Sequence, residues 1–237
     1  MVRDAKVLFA GMLLVASAPL LAQPQAPEDN WEGLVRVRSQ EIEFVYLAPG
    51  TDFRPYTKVM LEPSEMAMTR DWSHDYDQDR GKSSFSAQAT EREVVRALER
   101  ARKRFDRYFA DAFAEAGFTT VRSPAADVVR LRVGVFDIDM QTPDATIATR
   151  NERVPISESA GQATLVVEVR DSVSNALLGR AIDRRIAGDT GPSRRGLGSH
   201  KVDFDRLFRR WAQASAGGLV ELKSLSPVDV NGERLAR

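Results

Sequence analysis

Apolar residues change their spacing several times along the chain, and each change predicts an element. From Val7 to Leu21 they run almost unbroken, with Pro19 the one break and no charge after Lys6. Ile42 to Leu47 reads as a strand, closed by a Pro49-Gly50 turn signal, and Tyr56 to Leu61 reads as a second strand that Pro63 ends. Between Pro63 and Thr90 the periodicity is weak. Then Val94, Leu98, Ala101, Phe105, Phe109, Ala112, Phe113 and Ala116 recur every three or four residues, which predicts a helix over 91–116. Thr90 with Glu93 supplies a capping box for its start, and Gly117 supplies the left-handed residue that stops it.

Beyond that helix the period falls to two. Phe118 to Val121 is a short predicted strand, and Asp127 to Met140 a longer one with Val129, Leu131, Val133 and Val135 on one face. Past Gly134 the phase changes, so that Asp137 and Asp139 fall on what had been the core face. A β-bulge near Gly134 would restore the apolar face; the competing reading is a pair of inward carboxylates doing acid/base work. Gly161–Arg170 and Leu177–Ile186 form a predicted hairpin turning at Ser174, which sets Glu168 opposite Arg180 as an exposed pair. After a Gly/Ser/Arg loop over 188–201, Asp203 is placed to cap a second helix carrying Phe204, Leu207, Phe208, Trp211, Leu219 and Leu222, with Gly217-Gly218 as a point of interruption.

This order predicts an α/β (α+β) two-layer sandwich, a mainly antiparallel or mixed sheet with the long helix and the C-terminal helix packed on one face. The Arg-rich positions of the long helix read as a solvated face with Arg/Glu pairs, an anion-binding surface being the sharper alternative.

Composition changes the picture mainly at the N-terminus. A short basic start, a brief apolar run and then a Pro/Gln-rich stretch predict a secretory signal over 1–22, cut between Ala22 and Gln23. The run falls short of the roughly 20 residues a membrane span needs, so no retained span is expected. The chain has no cysteine, and Gln23 stands where a lipidated cysteine would be. That excludes disulfides, thiolate metal sites and a lipid anchor there, and predicts a free periplasmic protein. Residues 23–30 read as a flexible lead-in, 31–226 as one α/β domain and 227–237 as a tail. Loss of 1–22 takes Arg3, Lys6 and Asp4 from 34 basic and 34 acidic residues, leaving a charge near −1 and no overall bias toward nucleic acid.

Four short stretches carry a resemblance: Trp31-Glu32-Gly33-Leu34; Tyr56-Thr57-Lys58-Val59-Met60-Leu61-Glu62-Pro63; and Val167-Glu168-Val169-Arg170-Asp171-Ser172 with Ala181-Ile182-Asp183-Arg184-Arg185. With them the chain resembles the bacterial envelope proteins grouped as domain of unknown function 3313. The resemblance implies an envelope compartment and an overall fold and brings no catalytic residues. Many members look like outer-membrane lipoproteins, from which this chain departs by lacking the cysteine.

Chemistry-bearing patterns are sparse. Asp75-x-Asp77-x-Asp79 resembles the start of a calcium loop, but Arg80 replaces the required glycine and Ser86 the bidentate glutamate. His74 and His200 are the two histidines, too few for a histidine metal cluster. Asp71, Trp72, His74, Asp75, Arg194 and Arg195 are the binding candidates, with no cofactor or metal implied. The reading is a non-catalytic binding or adaptor module for a periplasmic protein or cell-wall component, working through a sheet edge or the central loop. The alternative is an envelope hydrolase using the central loop or Asp137 and Asp139.

Overall fold

The computed structural model describes residues 30–69, 84–140, 156–157, 161–188, 193–194 and 197–227. In chain order the elements are β1 (Asn30–Trp31), β2 (Leu34–Val37), β3 (Phe44–Leu47), β4 (Lys58–Leu61), β5 (Glu65–Met68), α1 (Ser84–Glu115), β6 (Thr119–Thr120), β7 (Val128–Met140), β8 (Ile156–Ser157), β9 (Gly161–Asp171), β10 (Leu177–Ala187), β11 (Ser193–Arg194) and α2 (Leu197–Leu225). Nine strands share one sheet in the order β1-β2-β3-β10-β9-β7-β4-β6, with β5 joined to β7 beyond the end of β4. β4 and β5 run parallel to β7, and β6 parallel to β4. The other pairings in this sheet are antiparallel, so the sheet is mixed.

The period-two residues of β7 and β9 explain where the core lies. Val129, Leu131, Val133 and Val135 with Ala163, Leu165 and Val167 are buried against Phe105, Phe109 and Phe113 of α1 and Phe208, Trp211 and Leu219 of α2. Both helices therefore cover the same sheet face, as the two-layer reading expects. They also run parallel to each other. Arg104 pairs with Asp205 at 2.9 Å, and one turn further on Arg209 reaches the Tyr108 hydroxyl, both contacts joining residues 101 apart in sequence. The α1 stop is built as expected: Gly117 has φ 89°, and the Phe118 N–H donates to the Phe113 carbonyl at 2.9 Å, closing a Schellman turn.

Several expectations are corrected. α1 begins at Ser84, so Thr90 lies inside the helix, where it cannot serve as the N-cap of the proposed box. The added turns, Ser-Phe-Ser-Ala-Gln-Ala-Thr, carry no apolar stripe to reveal them. α2 likewise begins at Leu197 and passes Asp203, which is buried within the helix and pairs with Arg206 at 3.2 Å; it also runs unbroken through Gly217-Gly218. β5 lies in the segment read as weakly periodic, and β1 and β2 were not predicted at all. Glu32 and Gly33 both have positive φ (53° and 80°), the requirement of the two-residue turn that joins β1 to β2.

The phase change in β7 is a bulge, three residues past Gly134. Phe136 pairs with Thr164 and Asp139 with Gln162, leaving one extra residue in between, and Asp137 there adopts φ 50°. The bulge returns Ile138 to the core and leaves Asp137 exposed. Gly134 has a separate reason: the Phe136 ring occupies the space that a Cβ would need.

Candidate functional site

The sheet's β1–β2–β3 end extends past the two helices, and a groove of about 1590 Å³ opens there between the strands and α2. Its floor is apolar, made by the helix-side residues Val35, Val37, Val45 and Leu47 with Val167 and Ala181. The helical wall is built of small residues, Ala214, Gly217 and Gly218, and a Cβ added to either glycine would meet nothing within 4 Å. Charged and polar groups form the rim: Arg38, Glu41 and Glu43 on the β2–β3 connection, Arg210, Gln213 and Glu221 on α2. The volume exceeds the roughly 300–1,000 Å³ typical of small-molecule pockets and suits a polypeptide or polymer segment.

One buried carboxylate fixes both walls. Asp183, on the core-facing period of β10, is 1% exposed. It accepts hydrogen bonds from the Trp211 indole Nε1–H of α2 at 2.7 Å, the Glu43 backbone N–H at 3.0 Å and the Arg185 Nε–H at 2.7 Å. Arg185 also donates to the Glu41 carbonyl at 2.8 Å. Ser39 shapes the same connection by accepting from the Glu41 and Ile42 N–H groups, which turns Ile42 into the core. Helix, strand and rim loop thus meet at a single side chain. Sequence reading placed Trp211 on a core stripe and missed Asp183; the available signal was an acid on the alternation Gly179, Ala181, Asp183, Arg185, Ala187.

The opposite sheet face carries an ionic ladder. Glu168 and Arg180 are direct partners in register, 2.6 Å apart. Sequence reading had the register right and the environment wrong, since the Arg180 side chain is 9% exposed and that of Glu168 18%. Burial alone would raise the Glu168 carboxyl; the Arg180 and Arg170 guanidinium groups outweigh it and hold it below its ordinary value. Arg132 reaches both Glu168 and Glu62, Glu62 also takes Arg130, and Glu32 of the β1–β2 turn reaches Arg180 at 3.3 Å. Each arginine of this ladder, Arg130, Arg132, Arg170 and Arg180, therefore has a carboxylate partner.

A second lock sits at the β9–β10 turn. Asp171 accepts from the Ser174 and Val173 N–H groups and from the Tyr56 hydroxyl at 3.0 Å, and Ser172 Oγ bridges to both backbone groups of Ala125. Burial first, then the Asp171 partner, push the Tyr56 phenol from 10.0 to about 12. A phenol raised in this way contributes stability that is fully present below pH ~10 and lost as pH rises through the folded value. The denaturant midpoint is therefore expected to fall between pH ~10 and ~12, and Tyr56→Phe to show a visibly shallower fall.

Ala22, Gln23, Asp71, Trp72, His74, Asp75 and Arg195 lie outside the described residues, as does the Asp75-Asp77-Asp79 pattern. Arg194 lies in β11, which pairs with β8 in a separate two-stranded ribbon, and its side chain is outside the description. Asp137 is exposed on its bulge, Asp139 is half-buried, and neither lines the groove.

Residues 28–215 match the family described as Protein of unknown function (DUF3313). The chain belongs to that family. The stretches that carried the resemblance are, in this DUF3313 fold, the ones that tie it together: the β1–β2 turn with Glu32, Tyr56, Asp171 and Ser172 at the second lock, and Asp183 with Arg185 at the first. No curated protein matches the sequence. Among solved structures, the PelC dodecamer from Paraburkholderia phytofirmans is similar at 13% identity and TM-score 0.35, covering 72% of this chain and 94% of that one. Protein XCC0632 from Xanthomonas campestris is similar at 12% identity and TM-score 0.31, covering 73% and 86%.

Proposed function

We propose that this DUF3313 protein is exported by residues 1–22, cut after Ala22, and works in the periplasm as a non-catalytic binding or adaptor module for an envelope protein or a cell-wall component. The groove beside β2 carries the reading. An apolar floor with a charged rim is the composition of a recognition surface, in which the centre supplies burial and the periphery supplies register. Its position at the end of a sheet also lets an extended partner lie along β2 and β3 with alternate side chains on the apolar floor. Asp137 and Asp139, the strand carboxylates of the hydrolase reading, do not line the groove. A photoreactive residue placed at Gln213 on the rim is expected to give a discrete adduct in cells, whereas the same residue at Arg122, on the far side of the sheet, gives none. Equal adducts from both positions, or none from Gln213, contradict the reading.

A further inference from the structure

The outer layer formed by the two helices has a charge distribution that the chain's overall balance of 34 basic and 34 acidic residues conceals. At 3.6 residues per turn, Arg92, Arg96, Arg100, Lys103 and Arg107 of α1 fall within an arc of about 80°. All five are exposed, on the side away from the buried Phe105, Phe109 and Phe113. No acid lies within the arc, but Glu99 at its border pairs with Lys103 at 3.6 Å as well as with Arg102, which also reaches Asp106; Glu93 and Asp111 flank the other side. The Arg/Glu pairs expected from sequence stand along one border of this arc, and the rest of it is basic.

The parallel packing brings α2 into the same layer. Arg206 and Arg209 are exposed there, and Arg209 lies over the Tyr108 ring at 4.7 Å. The acids nearest the seam are occupied, Asp205 by Arg104 and Asp203 by Arg206. Arg92 to Arg107 spans about 22 Å of helix. One exposed valine, Val202 (55%), lies on the outward side of α2 between Arg206 and Arg209.

We propose that this helical layer docks on an anionic membrane surface, with lipid phosphates as its ligands. Guanidinium groups match phosphate oxygens in bidentate geometry. An exposed aliphatic side chain between two arginines, Val202, favours a lipid interface over a fully hydrated polyanion. The layer lies on α1 and the outer side of α2, so docking there is separate from occupation of the groove.

Vesicle co-sedimentation tests this with the chain from Gln23 onward, which keeps every described element and removes the apolar run 7–21. Vesicles with about 30 mol % phosphatidylglycerol are expected to bind the protein, pure phosphatidylcholine vesicles are not, and about 0.5 M salt should release it. Arg100→Gln, Lys103→Gln and Arg107→Gln together should weaken binding roughly 100-fold, about fivefold per charge, with an unchanged circular dichroism spectrum. Arg122→Gln with Arg184→Gln, away from the layer, should change nothing. Equal binding to neutral vesicles, full binding by the triple variant, or binding to heparin with none to anionic vesicles would overturn the proposal; the last result would make the layer a polymer site.

Discussion

Asp183→Ala is expected to lower the unfolding free energy by roughly 3–5 kcal/mol, which for a chain of this size shifts the melting temperature by roughly 10–15 °C. The reason is the number of groups one carboxylate satisfies. At 1% exposure it has given up water and received the Trp211 indole, the Glu43 amide and the Arg185 guanidinium in return. Alanine removes the acceptor and leaves those donors facing a small void, and a donor left unsatisfied in the interior costs more than the bond contributed. Asp183→Asn keeps the volume and one acceptor oxygen, so its loss should be smaller. Urea unfolding of both variants checks the order; a loss below about 1 kcal/mol for alanine would show that the carboxylate is not the joint between α2 and the groove's rim.

Phe105→Ala should cost a similar amount, roughly 3–5 kcal/mol, for an unrelated reason. Phe105 is fully buried between the helices, its ring 4.6 Å from that of Phe109 and 5.2 Å edge-on from that of Phe208. Truncation leaves a cavity at the seam where α1, α2 and the sheet meet, and the rigid rings around it cannot collapse to fill it. Val95→Ala, one of the exposed positions on the same helix, is expected to stay within about 0.5 kcal/mol. Equal effects at the two sites would mean that α1 does not present Phe105 to the core.

Sequence reading succeeded where one element is long enough to show its period. The alternation of β7, β9 and β10 located the central strands, and the Ser174-centred turn set the Glu168–Arg180 register correctly. It failed where an element is short or chemically mute. β2 is four residues, Leu-Val-Arg-Val, and β5 is Glu-Met-Ala-Met, too brief for alternation to stand out from chance. The first turns of both helices carry small and polar residues, so the caps were sought too late in the chain, at Thr90 and Asp203.

The groove was illegible for a deeper reason. Its floor and wall combine β2, β3 and β10 with residues 210–222 of α2, and only the fold brings them together. Asp183 was visible as a charge on a core-facing alternation, a pattern that reads as an irregular strand until its partners are known. The loop candidates were chosen for residue type alone, whereas the groove depends on what is absent: side chains at Gly217 and Gly218.

That dependence supplies the most direct test. Gly218→Leu should preserve or strengthen α2, because leucine is the better helix former by about 0.8 kcal/mol and its Cβ meets nothing within 4 Å. Its side chain would nevertheless fill the groove's wall. Crosslinking from Gln213 in cells carrying this variant is predicted to lose the adduct seen with glycine, at equal protein level and unchanged melting temperature. Persistence of the same adduct at the same yield would contradict the groove as the place where the partner binds.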